Sequence, residues 1–238
     1  MINAPSLANS NLLDLGEDLD ALVRGGCRTV HVDVMDGHYV PNLCFPVSAV
    51  AAIKDRYPDL VVDAHLMVDT VEDYIEPLRV AGCDAMSFPI DATRFVRRTL
   101  STIQAAGMRA GVAINPSQDV AVVEPVLRYA DYVVLMSVEP GFAGQTFLDG
   151  SLDRLDTLVS LREATGSSAL IQIDGGVTYD VAEEGARRGA EIFVTGVFTV
   201  YDPELGRERG MAEFDSRMAR AGYPASSEHL AALRRTTD

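Results

Sequence analysis

Eight short apolar runs recur along the chain, and their alternation with helical segments constrains the fold more than any other feature. The runs are Ile2 to Pro5, Thr29 to Val34, Leu60 to Met67, Ala85 to Ile90, Arg109 to Ile114, Tyr132 to Ser137, Leu170 to Ile173 and Ile192 to Thr195. Each has the length of a buried strand. Between them lie apolar residues at helical spacing, as at Leu12, Leu15, Leu19, Leu22 and Val23, or at Val120, Val123, Val126 and Leu127. Strands that alternate with helices predict a parallel sheet.

Glycine follows several helices just before the next strand, in Gly25-Gly26-Cys27, Ala81-Gly82-Cys83, Ala106-Gly107-Met108 and Arg188-Gly189-Ala190. A glycine there supplies the left-handed cap that turns the chain back. Eight strands punctuated in this way fit a closed (β/α)8 TIM barrel better than an open sheet. The 238 residues match the roughly 200 to 250 that such a barrel uses as one domain. The pattern changes after Tyr201, where no further strand is expected and Met211, Phe214 and Met218 have helical spacing. The expected organisation is a barrel over residues 1–202 with a short helical C-terminal extension over 203–238.

Charge narrows the partners. The formal net charge is -15, and Lys54 is the sole lysine, so nucleic acid is not an expected ligand. Cys27, Cys44 and Cys83 are odd in number and have no C-x-x-C spacing, which indicates neither a disulfide framework nor a zinc ribbon. No apolar run approaches the roughly 20 residues of a membrane span, and no basic segment followed by an apolar one opens the chain. A cytoplasmic protein with no membrane partner is expected.

Polar residues stand at three strand ends: His31 and Asp33 in HVDVMDGHYVPN, His65 in VVDAHLMV, and Asp174 in IQIDGGV. Barrel active sites lie at the carboxyl ends of strands. His31 and Asp33 are two residues apart on one strand and so point to the same side. Any one of these residues alone is as well explained by a hydrogen-bonded strand end, but four at the same ends of three strands point to a shared site. Two imidazoles and two carboxylates around one point suit a divalent metal ion, one per chain, and zinc, iron(II), manganese and cobalt all accept such ligands.

Glycines follow the last three strands. Gly141 and Gly144 bracket Phe142 and Ala143 in MSVEPGFAGQTF, Gly175 and Gly176 follow Asp174, and Gly196 precedes Val197. These glycines either serve only as tight turns or let backbone N–H groups approach a phosphate. The second reading explains how so acidic a chain could bind an anion.

The strings APS, HVDVMDGHYVPN, DAHLM, INP, MSVEPGFAGQ and IDGGV occur in order from about Ile2 to Val200, and in these the chain resembles ribulose-phosphate 3-epimerases. The resemblance implies His31, Asp33, His65 and Asp174 as metal ligands, with Asp33 and Asp174 also as the acid and base that invert C3 of a ketose phosphate through an enediolate. It further implies substrate contacts at Ser6 and His65, phosphate contacts at the glycine turns, and methionines around the site at Met35, Met67 and Met136. The partners implied are a small-molecule ketose phosphate and further copies of the chain in a homo-oligomer.

Three positions depart from the family pattern. Pro89 stands where a histidine is usual, Glu139 where an asparagine is usual, and Val197 where a serine is usual. They bear on the sugar more than on the chemistry. D-Ribulose 5-phosphate is the first expectation. The alternative is another ketose phosphate, such as allulose 6-phosphate, or a sugar of a specialised pathway, and behind it a non-catalytic sugar-phosphate-binding barrel. An aldolase working through a Schiff base needs a lysine at a strand end, and Lys54 lies in an expected helix.

Overall fold

In the computed structural model, which describes residues 1–236, eight parallel strands form one sheet in the order β1-β8-β7-β6-β5-β4-β3-β2. They are β1 Ile2–Pro5, β2 Thr29–Met35, β3 Val61–Met67, β4 Ala85–Pro89, β5 Arg109–Ile114, β6 Tyr132–Met136, β7 Leu170–Asp174 and β8 Ile192–Thr195. Every strand boundary lies within one residue of the apolar run that predicts it. A parallel bridge between Ser6 and His31 brings β1 against β2, so the sheet closes into the expected barrel.

The strand period of two divides the core. Val30, Val32 and Val34 of β2 join the apolar layer between the strands and the outer helices. His31 and Asp33 belong to the opposite, inward set. The barrel interior carries a separate apolar cluster that includes Ile2, Val61, Ala85, Tyr132, Val134 and Ile192.

The outer ring comprises α1 Leu15–Arg24, α2 Val47–Arg56, α3 Glu72–Val80, α4 Val96–Ala105, α5 Ser151–Thr165, α6 Tyr179–Arg188 and α7 Arg207–Arg220. Gly82 and Gly189 follow α3 and α6 with φ of 83° and 110°, the left-handed caps that the sequence predicts. Between β5 and β6 the helical spacing does not produce an α-helix. Val120–Val123 and Leu127–Tyr129 are 3₁₀ turns, separated by Pro125, which lacks the N–H that a continuous helix needs.

α7 buries Met211, Phe214 and Met218 and packs against both α1 and α6. α8, Ser227–Leu233, lies across the amino-terminal end of the barrel. Its Leu233 is buried in the interior cluster, Ser226 N–H donates to the Met1 carbonyl (3.0 Å), and Thr236 N–H donates to that of Gly107 (3.0 Å). Among the described residues, no helix is long and apolar enough to cross a membrane.

Candidate metal centre and substrate cleft

β2, β3 and β7 bring four side chains to one point. Register pairs Asp33 with His65 and His31 with Asp63, so β2 and β3 present their inward residues side by side. His31, Asp33, His65 and Asp174 each offer one ligand atom, and these atoms lie within 4.8 Å of one another. His31 Nε2 is 3.5 Å from Asp33 Oδ1 and 3.4 Å from Asp174 Oδ2. His65 Nδ1 is 3.7 Å and 3.2 Å from the same carboxylates.

Neither imidazole nitrogen makes a hydrogen bond, although both are buried. A buried polar atom without a partner is costly. Here the two nitrogens and the carboxylate oxygens converge on a space between them, so the donor set fits a divalent cation with ligand distances of about 2.0 to 2.2 Å.

Electrostatics agree with that fit. Burial alone would lower the basicity of both imidazoles, yet Asp33 and its neighbouring carboxylates hold His31 well above its ordinary range. Asp174 and Asp33 likewise hold His65 up at about 9 against the same burial. Burial would raise both aspartates, but the imidazoles keep Asp33 and Asp174 below the usual carboxylate range. The cluster therefore attracts positive charge, and a divalent ion would displace protons from the imidazoles.

Asp33 and Asp174 line a cleft of about 600 Å³, counting space open to solvent, whereas His31 and His65 lie beneath it. Ser6 also lines the cleft and donates through Oγ to Asp33 Oδ2 at 2.7 Å. Met35, Met67 and Met136 form an apolar wall.

The predicted glycine turns line the same cleft. Gly141, Phe142, Ala143 and Gly144 line it, as do Gly175, Gly176, Gly196 and Val197. Gly175 and Gly176 have φ of 112° and 64°, and a Cβ at Gly176 would lie 2.3 Å from the backbone nitrogen of Phe147. Only glycine suits that turn. Ser137 Oγ bonds the Asp174 and Gly175 carbonyls at 2.8 and 2.7 Å, which ties the turn to β6.

Among the described residues no lysine, arginine or histidine lines the cleft, and its ionisable lining residues are Asp33, Glu139 and Asp174. Lys54 is held at the opposite end by Asp84 at 2.8 Å. Of the three departures, Glu139 and Val197 line the cleft, while Pro89 is buried at the end of β4 outside that lining.

Sequence reasoning missed three groups. Asp63, Gln172 and Tyr132 form a buried network under His31. Asp63 stands two residues before His65 on one strand, the same signal that paired His31 with Asp33. Asn9 lines the cleft, donates to the Ser6 carbonyl (3.2 Å), and places its amide 3.2 Å from where a Cβ on Gly196 would be. Arg154 donates to the carbonyls of Met136 (3.0 Å) and Asn115 (2.7 Å), pinning the ends of β5 and β6.

The chain is similar to known proteins along most of its length. The profile of the ribulose-phosphate 3 epimerase family matches residues 2–200. A ribulose-phosphate 3-epimerase of Aquifex aeolicus is 40% identical over 203 residues, covering 84% of this chain and 91% of that protein. One from Rhodobacter capsulatus is 41% identical over 194 residues, covering 81% and 83%. Among solved structures, a 3-hexulose-6-phosphate synthase from Salmonella typhimurium superposes with a TM-score of 0.67 at 19% identity, over 90% of this chain and 98% of that one, a likeness of fold alone. With the profile matched from β1 to β8 and relatives at this identity, the chain belongs to the ribulose-phosphate 3-epimerase family.

Proposed function

We propose that this protein inverts C3 of a ketose phosphate, converting D-ribulose 5-phosphate to D-xylulose 5-phosphate, with Asp33 and Asp174 exchanging the proton. Membership of the family makes it an isomerase of the epimerase class. The observation that carries the proposal is the convergence of two carboxylates and two unpartnered imidazole nitrogens at a cleft that glycine backbone also lines.

His31, Asp33, His65 and Asp174 would hold one divalent ion, with zinc, iron(II), manganese and cobalt all compatible with the donors. When bound, it supplies stabilisation of negative charge on the enediolate oxygens, without which a proton beside a ketone is far too weakly acidic for a carboxylate. One aspartate takes the C3 proton and the other returns a proton to the opposite face of C3. Two opposed carboxylates allow this in both directions with little rearrangement. Ser6 orients Asp33 through its hydrogen bond. The backbone around Gly175, Gly176 and Gly196 would hold the phosphate, since no cationic side chain lines the cleft.

Glu139 and Val197, the departures that line the cleft, are the observation behind a second reading, another ketose phosphate such as allulose 6-phosphate. A panel of ketose phosphates and free ketoses in deuterated water, read by NMR at C3, tests both. Deuterium should enter C3 of D-ribulose 5-phosphate fastest. Preferential exchange of another ketose phosphate would transfer the assignment to it, and preferential exchange of a free ketose would overturn the phosphate class.

A further inference from the structure

We infer that Asp63 and Tyr132 are positioning residues that fix the His31 ring and the charge behind it, an inference that builds on the proposed metal site. Asp63 Oδ2 lies 2.8 Å from His31 Nδ1. A carboxylate can only accept here, so Nδ1 carries a proton and Nε2 is the nitrogen turned toward Asp33 and Asp174, where a metal ion would displace its proton. Tyr132 donates to Asp63 Oδ1 at 2.6 Å, and Gln172 Nε2 donates to Asp63 Oδ2 at 3.1 Å.

All four side chains are fully buried, and they come from β2, β3, β6 and β7, so the network spans the barrel interior. Within it, Asp63 has His31 as its sole salt-bridge partner among the described residues. Burying a carboxylate is costly, and a neutral amide would fill the same space. The charge itself therefore has a use.

Tyr132 is accommodated by a missing side chain. A Cβ on Gly111 of neighbouring β5 would lie 2.5 Å from the Tyr132 ring, so that glycine opens the space in which the phenol reaches across the barrel. Burial, and next the Asp63 charge, hold the Tyr132 phenol well above its ordinary range, which keeps it a donor.

The test measures binding of zinc and cobalt(II) to wild type, Asp63→Asn, Tyr132→Phe and the double variant, each checked for folding by its thermal transition. Tyr132→Phe retains the ring volume, so it remains informative if Asp63→Asn folds poorly. Asp63→Asn should weaken metal binding by about 10- to 100-fold and shift the visible absorption of the cobalt(II) form. Tyr132→Phe should weaken binding by less, and its effect should vanish in the Asp63→Asn background, because both act through one carboxylate. Wild-type affinity and an unshifted cobalt spectrum in folded Asp63→Asn would overturn the inference while leaving the metal site standing. So would an undiminished Tyr132→Phe effect in the double variant. Failure of wild type to bind either metal would instead overturn the metal site on which it builds.

Discussion

His31, Asp33, His65 and Asp174 reach inward from strands held in register. Gly175, Gly176 and Gly196 instead offer backbone on the turns after β7 and β8. The first region is buried charge, where imidazoles and carboxylates shift one another's proton affinity. The second presents amides that every residue carries, so its side chains can change while the backbone path persists. The departures that reach the cleft, Glu139 and Val197, fall outside the first region, and Val197 directly follows Gly196 of the second.

The largest effect is expected at the aspartates. Asp33→Asn and Asp174→Asn should each reduce turnover by roughly a thousandfold or more, in a protein whose circular dichroism is unchanged. Near-normal turnover in either variant would remove the two-carboxylate account.

Acidity should act on the first region alone. Both imidazoles have raised proton affinity, His65 to about 9, so around neutral pH a metal ion must displace their protons. Metal affinity should therefore fall as pH falls below that value, by about tenfold per pH unit for each proton displaced. Calorimetric titration at several pH values checks this, and a pH-independent affinity from pH 6 to 8 would contradict it.

The glycine side should respond to backbone changes. Gly176→Ala forces a left-handed φ and a collision with Phe147 backbone. The strain should cost at least about 1–2 kcal/mol and lower the melting temperature by a few degrees, with KM for a ketose phosphate rising and the metal content unchanged. Val197→Ser should have the smallest effect. The added hydroxyl is worth about 0.5 to 1.5 kcal/mol, which should lower KM for the phosphorylated ketose by up to about tenfold and leave a free ketose unaffected. A side-chain change here that altered metal affinity would erase the distinction between the two regions.

What the sequence shows in advance follows the same division. The strands are legible because apolar runs and helix-capping glycines are local signals. The four residues of the candidate metal site are legible because strand period and residue chemistry coincide at His31 and Asp33 and because His65 and Asp174 stand at the same ends of their strands. The Asp63, Tyr132 and Gln172 network is hidden because it depends on register across strands far apart in sequence. α8 is hidden for a similar reason: its spacing shows a short helix, but only tertiary contacts seat Leu233 in the base of the barrel. The segment around Val120 misleads because Pro125 interrupts a pattern whose apolar spacing is otherwise helical.

Metal-assisted exchange by the two aspartates is tested most directly by a metal titration of chelator-stripped protein, following deuterium entry at C3 of D-ribulose 5-phosphate. Exchange should be negligible in metal-free protein, rise on adding a divalent ion, and break at one ion per chain. Full exchange by protein that elemental analysis shows to be metal-free would contradict it.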